Sequence, residues 1–228
     1  MSTLKVLAAL LHYPDEQLQA HADELVAALD AEGLVRGRRR AAIVGFIERL
    51  RSDDLLERQA EYVETFDRGR SRSLHLYEHV HGESRDRGQA MVELNRVYRE
   101  HGFEIAGAEL PDYLPLFLEF LSTLPMEDAV GWLEEVGPIL QPLHARLAER
   151  DSVYTVLVEP LVRLAGLTAD ESLREEIAKE APDDTPEALD RVWMEAPVTF
   201  GPEGGCDMGG QHTEQTIQWH RRSQSSHR

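Results

Sequence analysis

The sequence predicts an all-α protein, on two observations. Apolar residues recur at helical spacing along nearly the whole chain, and no stretch shows the sustained alternation, bounded by turn residues, of a half-buried strand. Its 228 residues with 42% hydrophobic content can bury a sizeable core without a crosslink or a structural metal.

Taken in order, the apolar run Leu4–Leu11 reads as a first core helix. Pro14 suits a first helical turn, and Leu18, Ala22, Leu25, Val26 and Leu29 then share one face of a single helix that Gly33 ends. Ile43, Phe46, Ile47 and Leu50 repeat the pattern. Asp53 or Asp54 caps the next helix, whose inward face is Leu55, Tyr62, Val63 and Phe66, and a loop spans 68–73. Met91, Leu94, Val97 and Tyr98 mark a helix stopping at Gly102, and Pro111 opens another that carries Tyr113, Leu114, Phe117, Leu118 and Leu121 and closes at Pro125. Three apolar helices follow at about 127–136, 139–149 and 152–166, because Pro138 is too disruptive for one straight helix, and then a polar helix near 170–181.

Residues 1–181 are thus expected to form one helical domain, and 182–228 a tail. That tail is acidic at Asp183 and Asp184, then rich in glycine from Gly201 to Gly210, so it buries little and is expected to be flexible, with one short helix near 186–194. No internal repeat of 20 to 50 residues is present.

A formal charge of −18 argues against DNA, RNA and anionic membrane surfaces as main partners. Residues 125–190 carry sixteen acidic against five basic side chains, −11 of that total. The single cysteine, Cys206, cannot form an internal disulfide or a paired-thiolate metal set, which fits a cytoplasmic protein. Leu4–Leu11 is too short to cross a bilayer, and Pro14, Asp15 and Glu16 separate it from Ala20-His21-Ala22, so neither a signal peptide nor membrane insertion is expected.

Chemistry-capable residues concentrate in three places. In His75-Leu76-Tyr77-Glu78-His79-Val80-His81, a helix would put His75 and His79 on one face and would give Glu78 and His81 the Glu-x-x-His spacing of di-metal carboxylate bundles. A second copy of the motif is missing, so a helical metalloenzyme built on His75–His81 is the alternative and a hydrogen-bonding histidine surface the plainer reading. The segment from His81 to Gly88, with Arg85 and Arg87, lacks the ending of a phosphate loop and reads as a capped helix start. Glu109-Leu110-Pro111-Asp112-Tyr113 reads either as a helix start, with Asp112 at the positive end of the dipole, or as carboxylates beside aromatic and leucine residues suited to holding a peptide. Cys206 sits in a glycine-rich stretch where nothing would fix a histidine beside it, and no nucleophile set suggests an enzyme.

Phe66-Asp67-Arg68-Gly69-Arg70 with Ser73-Leu74, the block from Glu78 to Met91, and Glu109-Leu110-Pro111-Asp112 together closely resemble the NarJ family of nitrate reductase assembly chaperones. Leu-x-Tyr-Pro-Asp at Leu11–Asp15 and Asp183-Asp184-Thr185-Pro186 with Leu189-Asp190 and Val192-Trp193 extend the likeness over most of the chain. The resemblance implies a single-domain helical bundle of the TorD/NarJ type with a flexible C-terminal tail, related to the redox-enzyme maturation proteins and not an enzyme. It implies as client the catalytic, alpha subunit of a membrane-bound nitrate reductase, held in the cytoplasm for insertion of the client's molybdenum cofactor, with no cofactor held stably by the chain itself. The family's Glu-x-Pro-Asp-His motif and the segment before it imply a client-peptide site at Tyr77, Glu78, His79, His81, Arg85, Arg87, Glu109, Asp112 and Tyr113, with Tyr113 standing where the family usually has histidine. A tyrosine there can still donate a hydrogen bond and stack.

Overall fold

The computed structural model describes residues 1–80 and 85–193. Within them the chain forms α1 (Ser2–Leu10), α2 (Glu16–Ala20), α3 (Ala22–Glu32), α4 (Gly37–Ser52), α5 (Leu55–Phe66), α6 (Arg85–Glu100), α7 (Leu114–Ser122), α8 (Met126–Glu149), α9 (Thr155–Leu164), α10 (Glu171–Ile177) and α11 (Pro186–Trp193). The described residues hold no strand, only one isolated antiparallel bridge between His75 and Tyr113. The all-α expectation is met.

The core has two centres. The apolar run at the start forms α1, which buries Leu4, Val6, Leu7 and Leu10 against α7 and α3, and α7 answers with Leu114, Phe117, Leu118, Phe120 and Leu121. The second centre is α8 against α9 and α10, and contacts between α7 and α8 join the two. Between these centres lies a ring cluster in which Tyr154 packs edge-on against Phe46, Tyr62 and Phe66.

Several boundaries differ from the periodicity. The helix expected from Pro14 to Gly33 is broken at His21, which closes α2 and opens α3. Asp15 caps α2 by accepting from the Leu18 N–H, and Gly33 ends α3 in the left-handed conformation at φ 61°. Of the two aspartates offered as a cap for α5, Asp54 does it, accepting from the N–H groups of Leu56 and Glu57. Val63, assigned inward, is 37% exposed.

The largest correction is α8, a single helix of 24 residues that runs through both Pro138 and Pro142. Proline removes one backbone donor and crowds the carbonyl four residues earlier. Here Pro138 and Glu134 both face solvent, so water can satisfy the released carbonyl, and Gly137 has no Cβ to clash with the proline ring. Packing of Leu133, Val136, Ile139, Leu140 and Leu143 on the other face then keeps the helix whole. Pro111 does not open a helix either. The helix starts at Leu114, with Pro115 in its first turn, and Leu110–Tyr113 form a turn ahead of it.

The segment after Pro182 is tied to the body, since Asp184 pairs with Arg72 and Arg150 and Asp183 accepts from Ser71. The glycine-rich stretch and Cys206 lie outside the described residues.

Candidate functional site

Two irregular segments cross beside the start of α7. The first, between α5 and α6, contains short 3-10 turns at Arg70–Arg72 and Leu76–Glu78. The second is the Leu110–Tyr113 turn. They are joined by a pair of backbone bonds, Leu76 N–H to Asp112 O at 2.9 Å and Leu114 N–H to Leu74 O at 2.8 Å.

The Asp112 carboxylate, completely buried, fastens the crossing. One oxygen accepts the Tyr77 N–H at 3.1 Å and the other lies 3.2 Å from His75 Nδ1, which must therefore donate. Arg87, which bonds Glu78 at 3.2 Å, stands 3.8 Å from the same carboxylate and balances its charge. The hydrogen bond to Asp112 raises the His75 pKa above its ordinary 6.5 against the opposing effect of burial, with the nearby charges of Asp112 and Glu78 adding to the rise. His79 goes the other way. Burial holds its pKa below 6.5, and its Nε2 donates to Ser73 O at 2.8 Å.

Tyr113 is the centre of an aromatic group. Its ring lies 5.3 Å from both His12 and His75, and its hydroxyl 2.9 Å from that of Tyr62. Tyr62 donates to Leu11 O, so Tyr113 is the donor to Tyr62. Tyr13, 44% exposed, packs edge-on against Tyr62. The Tyr113 hydroxyl is pushed up to about 12, first by burial, while the Tyr62 bond lowers it and the nearby charges of Glu109 and Asp67 raise it. Asp67 itself is raised by burial, which outweighs the lowering influence of His75. Beneath the turn, the Tyr98 hydroxyl donates to Pro111 O at 2.7 Å.

The residues read from the sequence therefore separate into two kinds. Tyr77, Asp112 and Tyr113 are buried and shape the crossing, whereas Glu78, His79 and Arg87 are half-buried around it and Glu109 is exposed on its rim. His81 and the Arg85 side chain lie outside the described residues. Asp112 does not sit at the first turn of a helix, because it is spent inside the crossing. Four contributors were absent from the sequence-based set: His12, Tyr13, Tyr62 and Asp67. The Leu11–Asp15 motif was the signal for His12 and Tyr13, the Phe66–Arg70 motif that for Asp67 and the helical period that for Tyr62, but their meeting around Tyr113 depends on tertiary contacts.

The metalloenzyme alternative finds no support. His75 and His79 do not share a helix, each imidazole is engaged in a hydrogen bond, and the described residues contain no group of three or more His, Cys, Asp or Glu side chains placed to hold a metal. What the crossing offers is a surface: the exposed Tyr13, the two histidines His12 and His75 and the edge of the Tyr113 ring, with the carboxylates of Asp67 and Glu109 close by. Such a surface can take up apolar side chains and cations together.

Residues 11–158 match the family model described as the nitrate reductase delta subunit. The chain is 47% identical over 207 residues to the nitrate reductase molybdenum cofactor assembly chaperone NarJ of Escherichia coli K12, covering 90% of this chain and 88% of that protein. It is 45% identical over 201 residues to the probable chaperone NarW of the same strain, covering 88% and 84%. The probable NarJ of Bacillus subtilis is 33% identical over 163 residues, covering 70% and 86%. Among solved structures, a putative redox enzyme maturation protein from Archaeoglobus fulgidus superposes with a TM-score of 0.50 at 21% identity, covering 72% of this chain and 93% of that one, a likeness of fold.

Proposed function

The chain belongs to the nitrate reductase delta subunit family, and from that membership we propose that it is a system-specific assembly chaperone for a respiratory nitrate reductase. It binds the cofactor-free catalytic (alpha) subunit, including its N-terminal segment, and keeps it competent for molybdenum cofactor insertion before the enzyme docks at the membrane. This is a cytoplasmic task that calls for no enzymatic chemistry and no stably held cofactor of the chain's own. No helix among the described residues is long and apolar enough to cross a membrane, and an acidic chain has little attraction for nucleic acid.

The observation that supports a client-peptide site here is the grouping of Tyr13, His12, His75 and Tyr113 near the carboxylates of Asp67 and Glu109. A basic amphipathic peptide would bury apolar area on the rings and set its cations against the two carboxylates, the charged part weakening as salt rises. A chaperone of this kind works by binding the open, cofactor-free subunit more tightly than the closed, loaded one, so that loading itself weakens the complex.

Calorimetric titration with a synthetic peptide of the client's N-terminal segment tests the site. Tyr13→Ala and Asp67→Asn/Glu109→Gln are each expected to weaken binding about tenfold, the carboxylate variant also losing most of its salt dependence. Wild-type affinity in both folded variants places the peptide elsewhere.

A further inference from the structure

The Asp183-Asp184-Thr185-Pro186 motif is not explained by client binding, yet every one of its residues has a defined place. Asp184 accepts from Arg72 Nη2 at 3.1 Å and from both terminal nitrogens of Arg150. Asp183 accepts from the Ser71 N–H at 2.8 Å and the Ser71 hydroxyl at 3.0 Å. The Thr185 hydroxyl accepts from the Ala188 N–H, and Pro186 begins α11. Arg72 is 2% exposed and also donates to Thr65 O, so it links α5, the first 3-10 turn and the C-terminal segment at a buried point. Burying such a cation is tolerable only while a carboxylate faces it.

Gly69 shows how closely this contact is fitted. A Cβ at that position would lie 2.6 to 2.8 Å from the Asp183 carboxylate, so any larger residue requires that group to shift from its place on Ser71. Gly69, Ser71 and Arg72 on one side and Asp183 and Asp184 on the other are thus two halves of one contact, with Ser71 and Asp183 lying 112 residues apart.

The held residues lead directly into the site. Ser71 and Arg72 are followed by Ser73, whose carbonyl accepts from His79 and whose hydroxyl accepts from the His75 N–H, then by Leu74 in the bridge and His75 on Asp112. The run 69–80 has no regular helix beyond its two short turns. Its shape is set from its two ends, by Asp183 and Asp184 at one and by Asp112 at the other.

We propose that Asp183 and Asp184 are positioning residues for the client site: their docking on Ser71, Arg72 and Arg150 holds the 69–80 run in the form that presents His75 beside Tyr113, making the segment after Pro182 a latch on client binding. The inference rests on the client-peptide reading above. Release of the latch leaves the helices in place but frees one end of the run, so the peptide must reorder it at the expense of affinity.

The test uses the full chain, with Asp183→Asn/Asp184→Asn to weaken the latch and Gly69→Ala to displace Asp183 without removing a charge. Hydrogen exchange followed by mass spectrometry reads the run directly, and titration with the client N-terminal peptide reads its consequence. Both variants are expected to speed amide exchange across 69–80 at least tenfold and to weaken peptide binding about tenfold, and Gly69→Ala covers the case in which the aspartate variant fails to fold. Faster exchange in 182–193 with unchanged peptide affinity overturns the latch. Failure of the unaltered chain to bind the peptide counts instead against the client-site reading, and exchange across 69–80 then decides the positioning alone.

Discussion

Asp112 and His75, 37 residues apart in sequence, meet through a 3.2 Å hydrogen bond that closes the crossing of the two loops on which the candidate site stands. The carboxylate is inaccessible to solvent, so its work is internal. It orients the imidazole, holds the Tyr77 N–H, and through them fixes which side chains the surface presents. Three consequences for stability and titration follow from this arrangement and the rings around it.

Replacing Asp112 by alanine strands the buried Tyr77 N–H, takes the partner from the half-buried His75 ring nitrogen and leaves Arg87 without one of its neighbouring charges. The expected loss is about 2–4 kcal/mol in urea unfolding, with Asp112→Asn costing less because its amide oxygen can still accept from Tyr77. A loss below about 0.5 kcal/mol for Asp112→Ala contradicts a structural role.

The two histidines should titrate on opposite sides of 6.5. His75, raised in the folded state by Asp112, contributes stability that is complete below 6.5 and disappears as pH rises through its folded pKa. His79, lowered by burial, contributes stability that is complete above 6.5 and disappears as pH falls through its folded pKa. Imidazole resonances followed by NMR from pH 4 to 9 check the order. In the Asp112→Asn variant the His75 value is expected to fall, and a reversed order in the wild type contradicts the geometry.

Tyr113→Phe removes the hydroxyl that donates to Tyr62 while keeping the ring between His12 and His75. Tyr62 retains its bond to Leu11 O, so the cost should be about 1 kcal/mol, with peptide affinity within about twofold of wild type. A larger loss of affinity without loss of stability assigns the hydroxyl to the client instead.

Much of the fold was legible in the sequence because helical burial follows the 3.6-residue period: α4 and α7 bury the residues that pattern selects, and α6 buries Leu94 and Tyr98 of its four. The break at His21 was hidden because apolar spacing runs straight through it, and α8 was misread because a proline rule ignores which face the proline occupies. In the site, residue types were visible while their accessibility was not. Asp112 and Tyr77 look like ligand contacts in a motif, yet a loop crossing buries them, and His12 reaches Tyr113, and Tyr13 reaches Tyr62, from elements no local pattern connects to them.

The same α8 finding gives a direct test of helix energetics. Pro138→Ala supplies the missing N–H opposite the Glu134 carbonyl on an exposed face, offset partly by greater freedom of the unfolded chain. Stability should rise by about 1 kcal/mol in thermal or urea unfolding. A decrease of that size contradicts the view that packing holds α8 together in spite of its prolines.

The decisive measurement is the molybdenum content and activity of nitrate reductase purified from cells deleted for this chain and grown anaerobically on nitrate, with no paralogue present and a second molybdenum enzyme as control. Nitrate reductase subunits with little molybdenum and little activity are expected beside a normally loaded control enzyme. Fully loaded, active nitrate reductase from those cells contradicts the chaperone role.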